Sequence, residues 1–207
     1  MRQQFAIGLL AAVGCAGAQA GIVFQDNFES GDISTWSVDS NYDGDTGAYV
    51  RSDFVHSGAN ALGTFIDLPS DGSAVSNRYV RASHEFTVVD AGDHVLDLWG
   101  ANSGCNAGCS LSYQVLLDDV LIGTWQSPDA FQQVTQTLSG LAAGLHTLTL
   151  GLFADGAANG RYTASFDDVT ISSIGGGGGT VPEPQSLALV LAALAAGAAL
   201  RRRTQTR

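Results

Sequence analysis

Alternating apolar and polar residues constrain this chain more than any other feature, because they recur through residues 21–174, where no long helical period occurs. In 146–152 and in 110–117, every second residue is apolar, which places successive side chains on opposite faces of a strand. Asp118-Asp119 forms a turn before a return strand at 120–125. Further strands are predicted at 22–28, 48–55, 61–66, 78–89, 95–100 and 161–171. Many short strands predict an all-β sandwich or barrel.

The first twenty residues have the pattern of a secretory signal peptide. Arg2 is followed by the apolar run 5–13, and Ala18-Gln19-Ala20 supplies the small residues of a cleavage site. We therefore expect residues 1–20 to be removed and the mature chain to begin at Gly21. Two alternatives stay open, namely lipoprotein processing at Cys15 and a buried N-terminal helix.

The other end of the chain predicts a membrane segment. A Gly-rich linker at 175–180 precedes the apolar run 186–200, and Arg201, Arg202 and Arg203 follow it. A 15-residue helix is about 22 Å long, which is short for the ~30 Å hydrocarbon core. The arginine cluster is expected to stay cytoplasmic, so that the body of the protein faces outward.

Residues 181–207 resemble the PEP-CTERM sorting signal of Gram-negative bacteria. The resemblance is carried by Pro182, Glu183 and Pro184, then the apolar run, then Arg201-Arg202-Arg203. It implies transient anchoring in the inner membrane, removal of the tail by an exosortase, and release to the cell surface or the extracellular matrix. Such proteins belong to bacteria that make exopolysaccharide and biofilm. An ordinary C-terminal anchor is the alternative.

The segment 21–174 is strongly acidic. It contains 19 carboxylates against Arg51, Arg78, Arg81 and Arg161, a net charge of −15, and the chain has no lysine. Phosphate binding needs a basic face, so nucleic acid is excluded as a partner. An acidic domain repels anionic polymers and attracts divalent cations.

Two cysteines remain after removal of the signal peptide. Cys105 and Cys109 are separated by three residues, and export through the secretory route favours a disulfide between them. Such a short ring constrains a local loop and adds little to global stability. A two-thiolate metal site would need further ligands that the sequence does not indicate.

The segment 21–174 resembles galactose-binding-like jelly rolls and related carbohydrate-binding modules. The opening match is Asn27-Phe28-Glu29-Ser30-Gly31 with Trp36, followed by 55–62, and the closing half matches at 112–125, 141–150 and 166–171. One departure is Asp119, where the hairpin of these domains usually has Gly. The resemblance implies a jelly-roll β-sandwich in which Phe28 and Val169 lie close together.

The same resemblance implies a structural calcium where the first and last strands meet. Carried over to this sequence, it indicates Glu29 and Asp168 first, then Asp26 and Asp167. Calcium takes six to eight oxygen ligands, which carboxylates and backbone carbonyls supply. The alternative is that Asp167-Asp168 only caps a strand end.

A second, weaker calcium hypothesis concerns the segment 39–45. Asp39, Asn41, Asp43 and Asp45 alternate along it with a Gly among them, as in the first half of an EF-hand loop. The twelfth position is Val50 instead of an acidic residue, so the loop is incomplete. A solvated acidic turn is the favoured alternative.

Sugar binding is the function these features favour. Asp97 and Trp99 share a strand face opposite Leu96 and Leu98 and are candidates for binding a sugar, whereas the other two tryptophans are expected in the core. No nucleophile elbow or paired catalytic motif occurs, so we do not expect an enzyme. We expect a non-catalytic polysaccharide-binding module; a purely structural matrix protein and a small polysaccharide-active enzyme are the alternatives.

Overall fold

The computed structural model describes residues 21–68, 71–105 and 109–174. The predicted signal peptide, Gly-rich linker and sorting signal all lie outside these ranges. Eleven strands lie within them: β1 (Ile22–Asp26), β2 (Ser37–Ser40), β3 (Asp45–Arg51), β4 (Ala61–Leu68), β5 (Arg78–Val88), β6 (Gly92–Asn102), β7 (Ser110–Leu117), β8 (Val120–Trp125), β9 (Gln132–Leu141), β10 (Gly144–Asp155) and β11 (Gly160–Ser173). In these residues we find no helix of the length and apolarity that a membrane span requires.

The strands form two antiparallel sheets. One sheet has the order β3-β4-β11-β6-β9, with β1 also paired to β11, and the other has the order β2-β5-β10-β7-β8. All strand pairings are antiparallel among the described strands. The two-sheet arrangement confirms the predicted all-β sandwich.

The core lies between the sheets and is formed by the apolar half of each alternating pattern. Leu150 of β10, Tyr113 of β7 and Phe166 of β11 are fully buried there. Gly100 leaves room for the ring of Tyr113, since a Cβ at residue 100 would lie 2.5 Å from its Cε2 atom. Trp36 is 4% exposed, so it belongs to the core as predicted.

The first and last strands of the sandwich are neighbours. Asp26 pairs with Val169 and Phe24 with Ile171 in the β1–β11 ladder. The Gly21 N–H also donates to Ser173 Oγ at 3.0 Å. This pairing confirms the expectation that the two ends of the sandwich lie side by side.

The turn between β7 and β8 forms without glycine. Asp118 and Asp119 have φ values of 50° and 63°, so both central residues adopt the left-handed conformation that a two-residue hairpin of type I′ requires. Asp tolerates this conformation better than most residues. The predicted hairpin is therefore present although Asp119 replaces the usual Gly.

Two of the described strands, β2 and β9, are not among those predicted from the sequence. β2 has four residues and is exposed along most of its length, so it carries almost no apolar signal. β9 has Val134 and Leu138 facing the core, but Gln136 lies between them and interrupts the alternation. The predicted strands 22–28 and 48–55 also end earlier, at Asp26 and Arg51, because the turns that follow begin there.

Candidate functional site

The turn after β1 is fixed by Asp26. Phe28 is fully buried and has a φ of 57°, which is unfavourable for a bulky residue. Asp26 Oδ1 accepts the Phe28 N–H at 2.8 Å, and Asp26 Oδ2 accepts Trp36 Nε1–H at 2.9 Å. Both oxygens of this predicted metal ligand are therefore engaged in holding the turn.

Glu29 anchors the loop formed by residues 52–60, which joins β3 to β4. Its Oε1 atom accepts the N–H groups of Ala59 and Asn60 at 2.9 and 2.8 Å. Gly58, with a φ of 64°, packs directly against the Glu29 carboxylate, where a side chain would collide with it. Glu29 thus ties the 52–60 loop to the turn after β1.

Asp167 anchors the same loop from β11. It is fully buried, and its Oδ2 atom accepts the N–H groups of His56 and Ser57 at 2.9 and 3.0 Å. Its Oδ1 atom accepts the N–H of Asp168 at 2.8 Å. Burial raises the pKa of the Asp167 carboxyl, although these three backbone hydrogen bonds oppose the rise.

The side chain of Asp168 also contacts the 52–60 loop. It lies at an irregularity of β11 with a φ of 49°. Its two oxygens contact His56 Nδ1 at 2.9 Å and Ser57 Oγ at 3.0 Å. His56, Asp167 and Asp168 offer ligand atoms within 4.8 Å of one another, so they form a candidate metal-binding group.

This group fits calcium only in part. It holds Asp167 and Asp168 of the predicted ligand set, but neither Glu29 nor Asp26 belongs to it, and its third member is an imidazole. Calcium prefers oxygen ligands throughout. Glu29 Oε2 has no hydrogen bond within the described ranges, so a carboxylate oxygen remains beside Ala59 and Asn60 of the 52–60 loop.

The EF-hand-like segment does not form a chelating loop. Asp39 lies in β2 and Asp45 begins β3. Asn41 uses its side chain on the backbone, accepting the Tyr79 N–H at 2.8 Å and donating to a neighbouring carbonyl. In the part of the chain that the structure describes, Asp39, Asp43 and Asp45 do not converge into a common group.

Trp99 and Asp97 lie on the outer face of the six-stranded sheet, as the alternation predicted. The indole of Trp99 is covered by the imidazole of His56, with ring centroids 3.7 Å apart and an angle of 12°. Asp97 accepts a hydrogen bond from Thr135 Oγ1. His56 therefore occupies the indole face on which a sugar was expected to stack.

The two remaining cysteines both lie in the β6–β7 loop. A disulfide joins Cys105 and Cys109, whose Cα atoms are 6.0 Å apart. It belongs to the same end of the sandwich as residues 103–104, which follow β6.

Four polar side chains, with Gly151 between them at the central strand, form a row across the outer face of the five-stranded sheet. Asp39, Arg81, Gly151, Gln114 and Thr124 are successive partners in the strand ladders, one from each strand. Partners in a ladder share a face, and the neighbours of Arg81 and Gly151 along their strands are buried in the core. We call these residues the polar row.

An aromatic pair lies beside the polar row. Tyr79 pairs with Phe153 in the β5–β10 ladder. This pair lies two residues along the strands from the pair of Arg81 and Gly151, so it shares their face of the sheet. The guanidinium of Arg81 lies 3.9 Å from the centroid of the Tyr79 ring. The Nε atom of Arg81 is buried and has no hydrogen-bond partner among the described residues.

This face of the sheet is indented. Ser112, Thr149 and Leu116 point away from the core, yet they are only 2 to 4% exposed. The missing side chain of Gly151 leaves room for the stem of Arg81, since a Cβ at residue 151 would lie 2.8 Å from both Val80 O and Arg81 Cγ. We call this indented face, with the polar row and the aromatic pair, the sheet groove.

The sequence contained a signal for part of this groove. Alternation in β5 places Tyr79 and Arg81 opposite the apolar Val80 and could have identified both as outward-facing. Their proximity to Gln114 and Phe153 follows only from the strand order β5-β10-β7.

Comparison with known proteins gives structural similarity alone. No family model and no curated protein matches the chain. Many solved structures resemble it, including the following three. The CBM22-1 xylan-binding domain of Paenibacillus barcinonensis Xyn10C is 12% identical, with a TM-score of 0.49, over 78% of this chain and 99% of that one. The C-terminal family 22 carbohydrate-binding module of Clostridium thermocellum Xyn10B is 10% identical, with a TM-score of 0.47, over 76% and 95%. TmCBM61 in complex with β-1,4-galactotriose is 16% identical, with a TM-score of 0.45, over 70% and 92%.

Proposed function

We propose that this domain binds a polysaccharide chain in the sheet groove without catalysing a reaction on it. The observation that carries the proposal is the polar row lying beside Tyr79 and Phe153 across an indented sheet. An extended sugar chain needs such a linear surface, with hydrogen-bonding groups and ring faces in close register.

The groups in the groove suit sugar hydroxyls. Each hydroxyl both donates and accepts hydrogen bonds, so it is complementary to the carboxylate of Asp39, the guanidinium of Arg81 and the amide of Gln114. The Nε–H of Arg81 is buried without a partner among the described residues, and the guanidinium lies against the Tyr79 ring. The ring of Phe153 and the part of the Tyr79 ring that Arg81 does not cover offer apolar surface to the C–H face of a sugar.

Loss of a groove side chain should weaken polysaccharide binding. In calorimetric titration of a polysaccharide selected from a glycan array, Tyr79→Ala and Gln114→Ala should each lower the affinity about ten-fold, since each removes roughly 1–2 kcal/mol of contact. The matched control is Phe65→Ala, which removes an aromatic ring from the outer face of the other sheet and should leave the affinity unchanged.

Three results would count against this function. No binding across the array would favour a structural matrix protein without a ligand. Equal binding by the two groove variants and the wild type would place the sugar elsewhere. Turnover of the polysaccharide that is lost on substitution of a single carboxylate would indicate an enzyme.

Export and sorting form a second part of the proposal. The sequence pattern of residues 1–20 and 181–207 supports secretion across the inner membrane, processing by an exosortase, and delivery to the cell surface or matrix. We assign the sandwich to the jelly-roll class on the resemblance of its opening and closing segments. A polysaccharide-binding domain in that location would meet exopolysaccharide.

A structural calcium at the junction of the first and last strands is the third part. Asp168 and Glu29 would hold it, since both carboxylates contact the 52–60 loop from different elements. His56 would have to leave Asp168 for the ion to gain a full set of oxygen ligands. Bound there, the ion would stabilise the loop and would take no part in sugar chemistry.

A further inference from the structure

A separate cavity opens near the 52–60 loop, on the opposite side of the sandwich from the sheet groove. Its volume is about 330 Å³, which lies in the range of small-molecule sites, roughly 300–1,000 Å³. Strands β3, β6 and β11 and the segments that follow β3, β6 and β8 supply its lining: Arg51, Asp53, Phe54, Asn102, Ser103, Asp129, Thr163 and Ser165.

Arg51 forms part of the cavity wall but offers little to a ligand. The missing side chain of Gly63 lets the Arg51 side chain cross β4, since a Cβ there would lie 3.3 Å from Arg51 Cδ. Its guanidinium donates to both oxygens of Asp53 at 3.0 Å and to Ser165 Oγ at 2.7 Å. Arg51 is 9% exposed and most of its N–H groups are already used.

The other polar groups of the cavity are largely paired as well. Asn102 Oδ1 accepts the Ser127 N–H, and Asn102 Nδ2 donates to the Ser103 carbonyl. Ser103 Oγ accepts the Thr163 N–H. These bonds shape the wall and leave few strong donors facing the cavity.

The lining groups whose hydrogen-bonding capacity remains unused are acceptors. Asp129 Oδ2 has no hydrogen bond within the described residues, and Oδ1 accepts only a 3.4 Å bond from Gly104. Asp53 is 74% exposed and keeps lone pairs beyond those that Arg51 uses. With one arginine and two aspartates, the lining has a net charge of −1.

An aromatic ledge borders the cavity. Phe54 stacks on Phe131, with ring centroids 4.8 Å apart and an angle of 20°. The ring of His56 meets Phe131 edge-on at 5.8 Å. The ledge provides a flat apolar surface next to two carboxylates, which suits a ring that also bears a positive charge.

We infer that this cavity is a second binding site and that it takes an amino sugar with a free, protonated amine. The ammonium would donate to Asp129 and Asp53, the hydroxyls would meet the Ser and Thr side chains, and one ring face would rest on the Phe54–Phe131 ledge. A uronic acid would be repelled by the carboxylates. An N-acetylated sugar would lose the charge that the aspartates select. The inference goes beyond the proposed function and does not depend on the sheet groove.

The test is a titration of the folded domain with a tetramer of glucosamine, in parallel with the N-acetylated tetramer and with a glucuronate oligomer. The glucosamine tetramer should bind at least ten-fold more tightly than the other two. Asp129→Asn should lower its affinity about ten-fold. Asn tolerates the left-handed backbone that residue 129 adopts, with a φ of 56°, so the fold should be retained, and a melting curve checks this.

Two controls separate this site from general attraction to an acidic domain and from the sheet groove. Asp90→Asn removes an exposed carboxylate elsewhere and should leave glucosamine binding unchanged, whereas Phe131→Ala should weaken it. Tyr79→Ala acts in the sheet groove alone, so glucosamine binding should survive it whether or not the proposed function holds. Equal weakening by Asp129→Asn and Asp90→Asn, or equal affinity for the acetylated tetramer, would overturn the inference.

Discussion

Asp167 and Glu29 show how single side chains determine the shape of the junction between the first and last strands. Each carboxylate accepts two backbone N–H groups from the 52–60 loop, Asp167 at His56 and Ser57, Glu29 at Ala59 and Asn60. A loop without regular structure must satisfy its backbone donors in some other way, and leaving one buried and unpaired costs roughly 1–3 kcal/mol. Glu29 and Asp167 therefore stabilise the 52–60 loop in the structure without a metal ion.

Calcium binding at this junction is a prediction at the same scale. A ligand that binds only the folded state raises the melting temperature, so calcium at ten times its dissociation constant should add about 1.4 kcal/mol, or roughly 3–5 °C. Thermal melts in calcium and in EDTA measure the difference. Asp168→Asn should abolish it, while Asp97→Asn, a change on the same sheet face, should not. Identical wild-type melts in both buffers would exclude the ion.

At the scale of elements, the β7–β8 turn is tied to β10 by a pair of ionisable side chains. His146 Nδ1 lies 2.7 Å from Asp118 Oδ2, and His146 Nε2 lies 2.9 Å from the Ala142 carbonyl. Both ring nitrogens face acceptors, and only the protonated imidazole can donate to both. The hydrogen bond with Asp118 is the main reason that the pKa of His146 is raised above its usual value.

This pair should make stability depend on pH. Burial acts to raise the pKa of Asp118, but the hydrogen bonds from His146 and the Thr147 N–H outweigh it and lower the pKa. The pKa of His146 is higher in the folded state, so its stabilisation is complete below about pH 6.5 and is lost as the pH rises through the folded value. The Asp118 contribution is lost at the acidic end, as the pH falls through its lowered pKa. The domain should therefore melt at a higher temperature near about pH 6 than near about pH 8.

The matched variant for this prediction is Asp118→Asn. It keeps a side chain of the same shape in the turn, removes the negative charge, and should flatten the difference between the two melts. If Asp118→Asn retained the full difference, the pH dependence would arise from another histidine.

At the scale of the whole molecule, the two proposed binding surfaces lie on opposite sheets of one sandwich. The sheet groove belongs to the five-stranded sheet, and the cavity lies against the six-stranded sheet. With one site on each side, a single domain could hold two polysaccharide chains at once. In the proposed extracellular matrix, such a domain would cross-link polysaccharide chains.

Export predicts the covalent state of the mature protein. Intact-mass analysis of protein recovered outside the cell should show a chain beginning at Gly21, lacking the tail after the sorting motif, and with both remaining cysteines oxidised. The bond between Cys105 and Cys109 closes a very short ring, so its reduction should change global stability by at most about 2 kcal/mol. Two alkylatable cysteines in the recovered protein would contradict both the bond and the proposed location.

Parts of the site were predictable and parts were not. The outward direction of Trp99 and Asp97 follows from period-two alternation, and the structure has them there. The covering of Trp99 by His56 depends on the path of the 52–60 loop, which no periodicity encodes. Gln114 and Phe153 come from strands far apart in sequence from Arg81, so no local pattern could bring them together.

By itself, the sequence determined the class of fold, the hairpin at 110–125 and the core positions, because these depend on alternation and turn chemistry between near neighbours. It also identified the acidic residues of the first strand, of the turn after it and of the last strand. Only the tertiary structure decided that Glu29 and Asp167 bind the same loop, that the polar row spans five strands, and that a cavity lies beside Phe54 and Phe131. These features depend on strand order and loop path, which are set by packing between residues distant in the chain.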